Sequence, residues 1–132
     1  MRKSLVSVIS VAIALMAVPG LTHHSFSAEF DVGRPVEFTG TITRVEWTNP
    51  HAWLFMVTED ADGNLEDWAV ELLGINTLMR RGLTRDSIKP GDRLSIEGFG
   101  ARDGSNTANA SLVTDAQSGE EIWVSAVGDR RN

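Results

Sequence analysis

The sequence predicts an all-β domain with one small helical connection. Three observations predict it. Five short runs alternate apolar and polar residues with a period of two, and β-branched residues are frequent in them. Turn-forming residues stand between the runs. One stretch, 74–90, breaks the period-two pattern between the third and fourth runs.

The elements follow in order. Pro35 opens the first strand, Val36–Trp47, where Val36, Phe38 and Ile42 share one parity and Thr39, Thr41, Thr43 and Val45 add β-branched positions. Gly40 inside this run predicts a bulge or a bend. Thr48-Asn49-Pro50-His51 reads as a turn. His51–Glu59 is the second strand, apolar on both faces and therefore central. Asp60-Ala61-Asp62-Gly63-Asn64 is a hairpin loop, and Leu65–Leu72 is the third strand. Asn76 or Thr77 caps a short helix reaching Arg81, which Gly82 ends, and Thr84 caps a further turn, Arg85–Ile88. Lys89-Pro90-Gly91-Asp92 turns into the fourth strand, Arg93–Gly100. Asn109–Thr114 is the fifth and pairs with the fourth by pattern, and Glu121–Val124 is a last short apolar piece. Three strands, a helical connection and two strands is the order of a five-stranded OB-like Greek-key barrel.

The chain start predicts export. Arg2 and Lys3 precede the uncharged, mostly apolar Leu5–Val18, and Pro19-Gly20 ends it. That run falls short of the ~20 apolar residues of a membrane span. The expected organisation is a signal peptide over 1–22, an N-terminal arm over 23–34, the β domain over 35–126 and a flexible tail over 127–132. The protein is expected to be periplasmic or secreted, with no membrane insertion after the signal is cleaved.

Charge and composition narrow the function. The formal charge of the chain is −6, and removing residues 1–22 takes away two basic and no acidic residues, leaving −8. Such a domain repels phosphate backbones, which argues against nucleic acid as a partner. The chain has no cysteine, which excludes thiolate metal sites and cysteine nucleophiles. No nucleophile elbow or glycine-rich phosphate loop is present, so the domain is not expected to be an enzyme. Glu46, Glu66, Asp67 and Glu71 flank the tryptophans and read as a solvent face of the strands. Asn109-Ala110-Ser111 fits the glycosylation triplet, a weak signal alone.

The histidines are the most specific chemical hint. There are three: His23, His24 and His51. Cleavage after Thr22 would leave His23 with a free amine, and cleavage after Gly20 would leave a histidine third from one. Both termini are nitrogen-rich and suit square-planar Cu(II). Copper is thus the candidate cofactor, with His23, His24 and His51 the candidate ligands. The plain alternative is a solvated His-His pair and a His51 that caps its strand. A metal-free reading makes the domain a protein- or glycan-binding module, with Asn49, Trp53, Trp47 and Arg44 as its face.

Several strings carry a family resemblance: His23-His24-Ser25-Phe26, Ala28-Glu29-Phe30-Asp31, Gly40 through Trp53, Trp68-Ala69-Val70-Glu71-Leu72 and Arg102-Asp103-Gly104-Ser105-Asn106. Together they resemble the DUF6152 type, a bacterial family of exported domains of unknown function, over about residues 23–125. The resemblance implies an exported, single-domain, OB-like protein and no assigned reaction. It places the family's characteristic residues on His23, His24, Asn49, Pro50, His51 and Trp53. The chain departs from the pattern at Thr22, where typical members have Ala.

Overall fold

The computed structural model of the chain describes residues 26–125. Eight elements run in order: α1 (Phe26–Glu29), β1 (Phe30–Glu46), β2 (Trp53–Glu59), β3 (Leu65–Glu71), α2 (Ile75–Arg80), β4 (Arg93–Ala101), β5 (Thr107–Asp115) and β6 (Glu121–Val124). The sheet order is β3-β2-β1-β4-β5-β6, and β3 also pairs with β5. A ring of hydrogen bonds therefore closes through β1 to β5. Every pairing is antiparallel except the closing one, β3 with β5, which is parallel. The strand order and the α2 connection between β3 and β4 bear out the all-β expectation. The last apolar piece adds a sixth strand outside the ring.

The period-two pattern explains the core. Ile42, Leu54, Met56, Val70, Leu72, Leu94, Ile96 and Val113 are at most 1 % exposed, on the inner parity of their strands or just beyond them. Leu78 of α2 joins the same cluster, together with Leu83 and Ile88 of the connection that follows. Phe38 and Trp68 stack at 4.2 Å against its edge. Trp123 is buried in it.

Three expectations need correction. The first strand is longer than expected, because β1 begins at Phe30 rather than after Pro35. Phe30 is buried, Phe26 stacks on it at 5.6 Å, and a register shift between Phe30 and Pro35 lets the proline sit in the strand. The β1–β2 bulge lies between Ile42 and Arg44, past Gly40, with Thr43 Oγ1 donating to the Phe55 carbonyl at 3.1 Å. α2 is not capped by Asn76 or Thr77. Its N-cap is Gly74, which makes no side-chain hydrogen bond of its own. The expected turn at Arg85–Ile88 is present, with Ser87 N donating to Thr84 O at 3.0 Å and Thr84 N to Ser87 Oγ at 2.9 Å.

Candidate functional site

The turn before β2 is fixed from three sides. The Asn49–Pro50 peptide is cis. Thr48 Oγ1 donates to the His51 carbonyl at 3.0 Å, while Ala52 N donates to Leu73 O at 3.1 Å and Leu72 N to Ala52 O at 2.9 Å. Asn49 Oδ1 accepts from Ile75 N at 3.1 Å, so this side chain serves the start of α2 that Gly74 leaves uncapped. The approach is close: a Cβ on Gly74 would lie 2.6 Å from the Pro50 carbonyl oxygen and 3.0 Å from Asn49 Oδ1. Asn49, expected on a partner face, thus has a capping task within the fold.

This turn delivers His51 onto Glu71. His51 Nδ1 lies 3.0 Å from Glu71 Oε1, with the imidazole side chain 40 % exposed and the carboxylate 6 %. Asn109 Nδ2 donates to the same Oε1 at 3.3 Å. Trp53 and Asn109 are the strand neighbours of Glu71 on either side. The solvent-face expectation holds for Glu66 and Asp67 and fails for Glu71, which is buried. Burial, and then the negative charge of Glu29, push the Glu71 carboxyl up to about 7, against the lowering effect of the Asn109 hydrogen bond. Asn109 sits in β5 as the partner of Glu71, which gives it a role the triplet reading did not.

α1 lies near this part of the sheet: Ala28 and Glu29 wall the same cleft as Trp53, the β2 partner of Glu71. Phe26 packs edge-on against Phe99 at 5.9 Å. Phe99 is the β4 partner of Asn109. Arg102 holds the helix, through Nε to Ser27 O at 2.7 Å and N to Glu29 O at 2.9 Å. Between α1, Trp53 and the β4–β5 loop lies a cleft of about 450 Å³, with Glu29, Phe30, Trp53, Asp103 and Thr107 among its walls. The Ser105 hydroxyl and backbone N–H hold the Asp103 carboxyl below the usual range.

The other proposed face residues part company. Trp53 is half-buried and lines the cleft. Arg44 pairs with Glu46 and lies 3.7 Å from the centre of the Phe55 ring, over a separate groove. Trp47 packs against the core. His23 and His24 lie outside the described residues. Among the described residues, no three His, Asp or Glu side chains form a group able to hold a metal ion.

The raised Glu71 pKa has a stability consequence. The group takes up its proton near 4.5 when unfolded and near 7 when folded. The folded state therefore binds more protons between these values, and stability falls as pH rises through that window. The metal-free protein is expected to lose on the order of 1–2 kcal/mol from pH 4.5 to 7.5, allowing for solvent screening. Urea unfolding across this range checks it: Glu71→Gln should flatten the profile, and an unchanged slope in the variant would assign the trend to other groups.

No curated protein matches the chain. The sequence profile of the family of unknown function DUF6152 matches residues 10–110. That match spans most of the chain and includes the His23-His24 pair, the Asn49-Pro50-His51 turn, Glu71 and Asn109, so the protein belongs to the DUF6152 family.

Proposed function

We propose that this is an exported binding domain that takes Cu(II) through His51 and the N-terminal histidines His23 and His24. One observation carries the reading: α1, which follows the N-terminal histidines in the chain, walls the same cleft as Trp53, two residues after His51 and the strand partner of Glu71. His24 and His23 precede Phe26 by two and three residues, a reach of about 7–11 Å of extended chain. Imidazoles suit copper better than alkaline-earth ions. The His51 Nδ1–Glu71 contact resembles the carboxylate–histidine pairs that support metal-bound imidazoles elsewhere. Export through residues 1–22, with a periplasmic or secreted location, belongs to the same proposal.

The test is a Cu(II) titration with electron paramagnetic resonance on protein processed in a bacterial host, its first residue read by intact mass. A one-to-one complex is expected, and His51→Ala should weaken it at least tenfold. Unchanged stoichiometry and affinity in His51→Ala would remove the three-histidine site.

A second reading is favoured by the cleft beside Trp53. In it the domain binds a protein segment or glycan without metal, and an aromatic wall supplies the contact area. Trp53→Ala should then abolish partner binding while His51→Ala leaves it intact.

A further inference from the structure

His51 has two ring nitrogens, and the structure places one of them against a carboxylate. Nδ1 faces Glu71 Oε1 at 3.0 Å. Among the described residues no hydrogen bond engages Nε2. The carboxylate is almost fully buried, while the imidazole is 40 % exposed. Resting on the metal reading above, we propose that Glu71 is the positioning residue of the His51 site. It holds Nδ1 so that Nε2 is the nitrogen offered to the metal, and Asn109 holds Glu71 in turn.

The parts of this chain are rigid for reasons already on the page. Glu71 ends β3 with strands on both sides: Trp53 of β2 faces it across one ladder and Asn109 of β5 across the other. Its side chain therefore leaves a backbone paired on both sides. The His51 backbone is pinned by Thr48 and, one residue later, by the Ala52 pairings with Leu72 and Leu73. Asn109 Nδ2 on β5 donates to Oε1 at 3.3 Å, and the His51 Nδ1 lies 3.0 Å from the same oxygen. A carboxylate that accepts the Nδ1 proton selects that tautomer and makes Nε2 a better electron donor. A free imidazole prefers the opposite tautomer, with its proton on Nε2, so the preference itself reports the contact.

The experiment reads the tautomer and the metal separately. Nitrogen-15 spectra of the metal-free protein at about pH 8, above the Glu71 titration, give the ring protonation of His51. Cu(II) titration with electron paramagnetic resonance gives affinity and ligand field. The wild-type ring should carry its proton on Nδ1. Glu71→Gln should move the proton toward Nε2, weaken copper about 10–100-fold and shift the resonance parameters. Asn109→Ser should act in the same direction and less, and it carries the test if Glu71→Gln fails to fold. A wild-type His51 protonated on Nε2 would overturn the proposal. So would a folded Glu71→Gln protein with unchanged tautomer and copper affinity. A wild-type protein that takes up no copper, yet shows the Glu71-dependent tautomer, keeps Glu71 as the residue that orients His51 and overturns the metal reading alone.

Discussion

Gly98→Ala is expected to cost more than about 3 kcal/mol, a lowering of the melting temperature by roughly 12–24 °C for a domain of this size. Gly98 sits in β4 where the register with β5 slips between Glu97 and Gly98. An added Cβ would lie 2.1 Å from the Asn109 carbonyl oxygen and 3.1 Å from the Ala110 Cα. Both are backbone atoms of the neighbouring strand, so no side-chain rotation relieves the clash. β4 and β5 must separate there, and ladder hydrogen bonds go with them. The disturbance reaches the candidate site, because Asn109 is also the residue whose side chain donates to Glu71. Differential scanning calorimetry measures the first effect, and the His51 ring signal in the same sample measures the second. A melting point within a few degrees of wild type would mean that the two strands are not packed this closely.

Leu54→Ala is expected to cost about 2–5 kcal/mol, the range for deleting most of a large buried aliphatic side chain. Leu54 is 1 % exposed. It lies on β2 between Val45 of β1 and Val70 of β3. The core has little freedom to collapse onto the space, since both flanking strands are tied into the ring. A domain of about a hundred residues has a total stability of ~5–15 kcal/mol, so this single change takes a large share. Urea titration should show the midpoint moving down with an unchanged slope. A loss under about 1 kcal/mol would place Leu54 at an adaptable edge of the core.

Much of this was legible in the residues. The alternation of Leu54 and Met56 with Trp53, Phe55 and Val57 marks a strand with one face fully and one partly buried. Asp60 through Asn64 mark a hairpin whose ends, Glu59 and Leu65, pair across the loop. That register also contained the site. Counting back from Glu59 opposite Leu65 brings Trp53 opposite Glu71 and leaves His51 diagonal to it. The pairing of Glu71 with His51 was therefore accessible from hairpin counting, and the habit of assigning strand acids to solvent hid it. Asn109 was not accessible in this way. It reaches Glu71 through the parallel β3–β5 join, which no local pattern announces. The same limit applies to α2: its start is served by Asn49, 26 residues earlier, rather than by a nearby Asn or Thr. The N-terminal end of β1 was not legible because the period-two run starts after Pro35, while the anchoring of Phe30 against Phe26 is a tertiary effect.

The join between β3 and β5 runs over only three residue pairs, Ala69 with Thr107, Val70 with Ala108 and Glu71 with Asn109. Within the ring, β2 with β3 and β4 with β5 are neighbours along the chain, whereas these three pairs bring together segments 38 residues apart. With three residue pairs against the eight that join β1 to β4, this is the shortest seam of the ring and the one expected to part first. Amide protons along residues 69–71 and 107–109 should accordingly exchange with solvent ahead of those in the β1–β4 ladder. Glu71 and Asn109 stand at the last of the three pairs. Anything that grips His51 and Glu71 from outside would fasten that seam, and its binding would be felt as slower opening of the whole sheet.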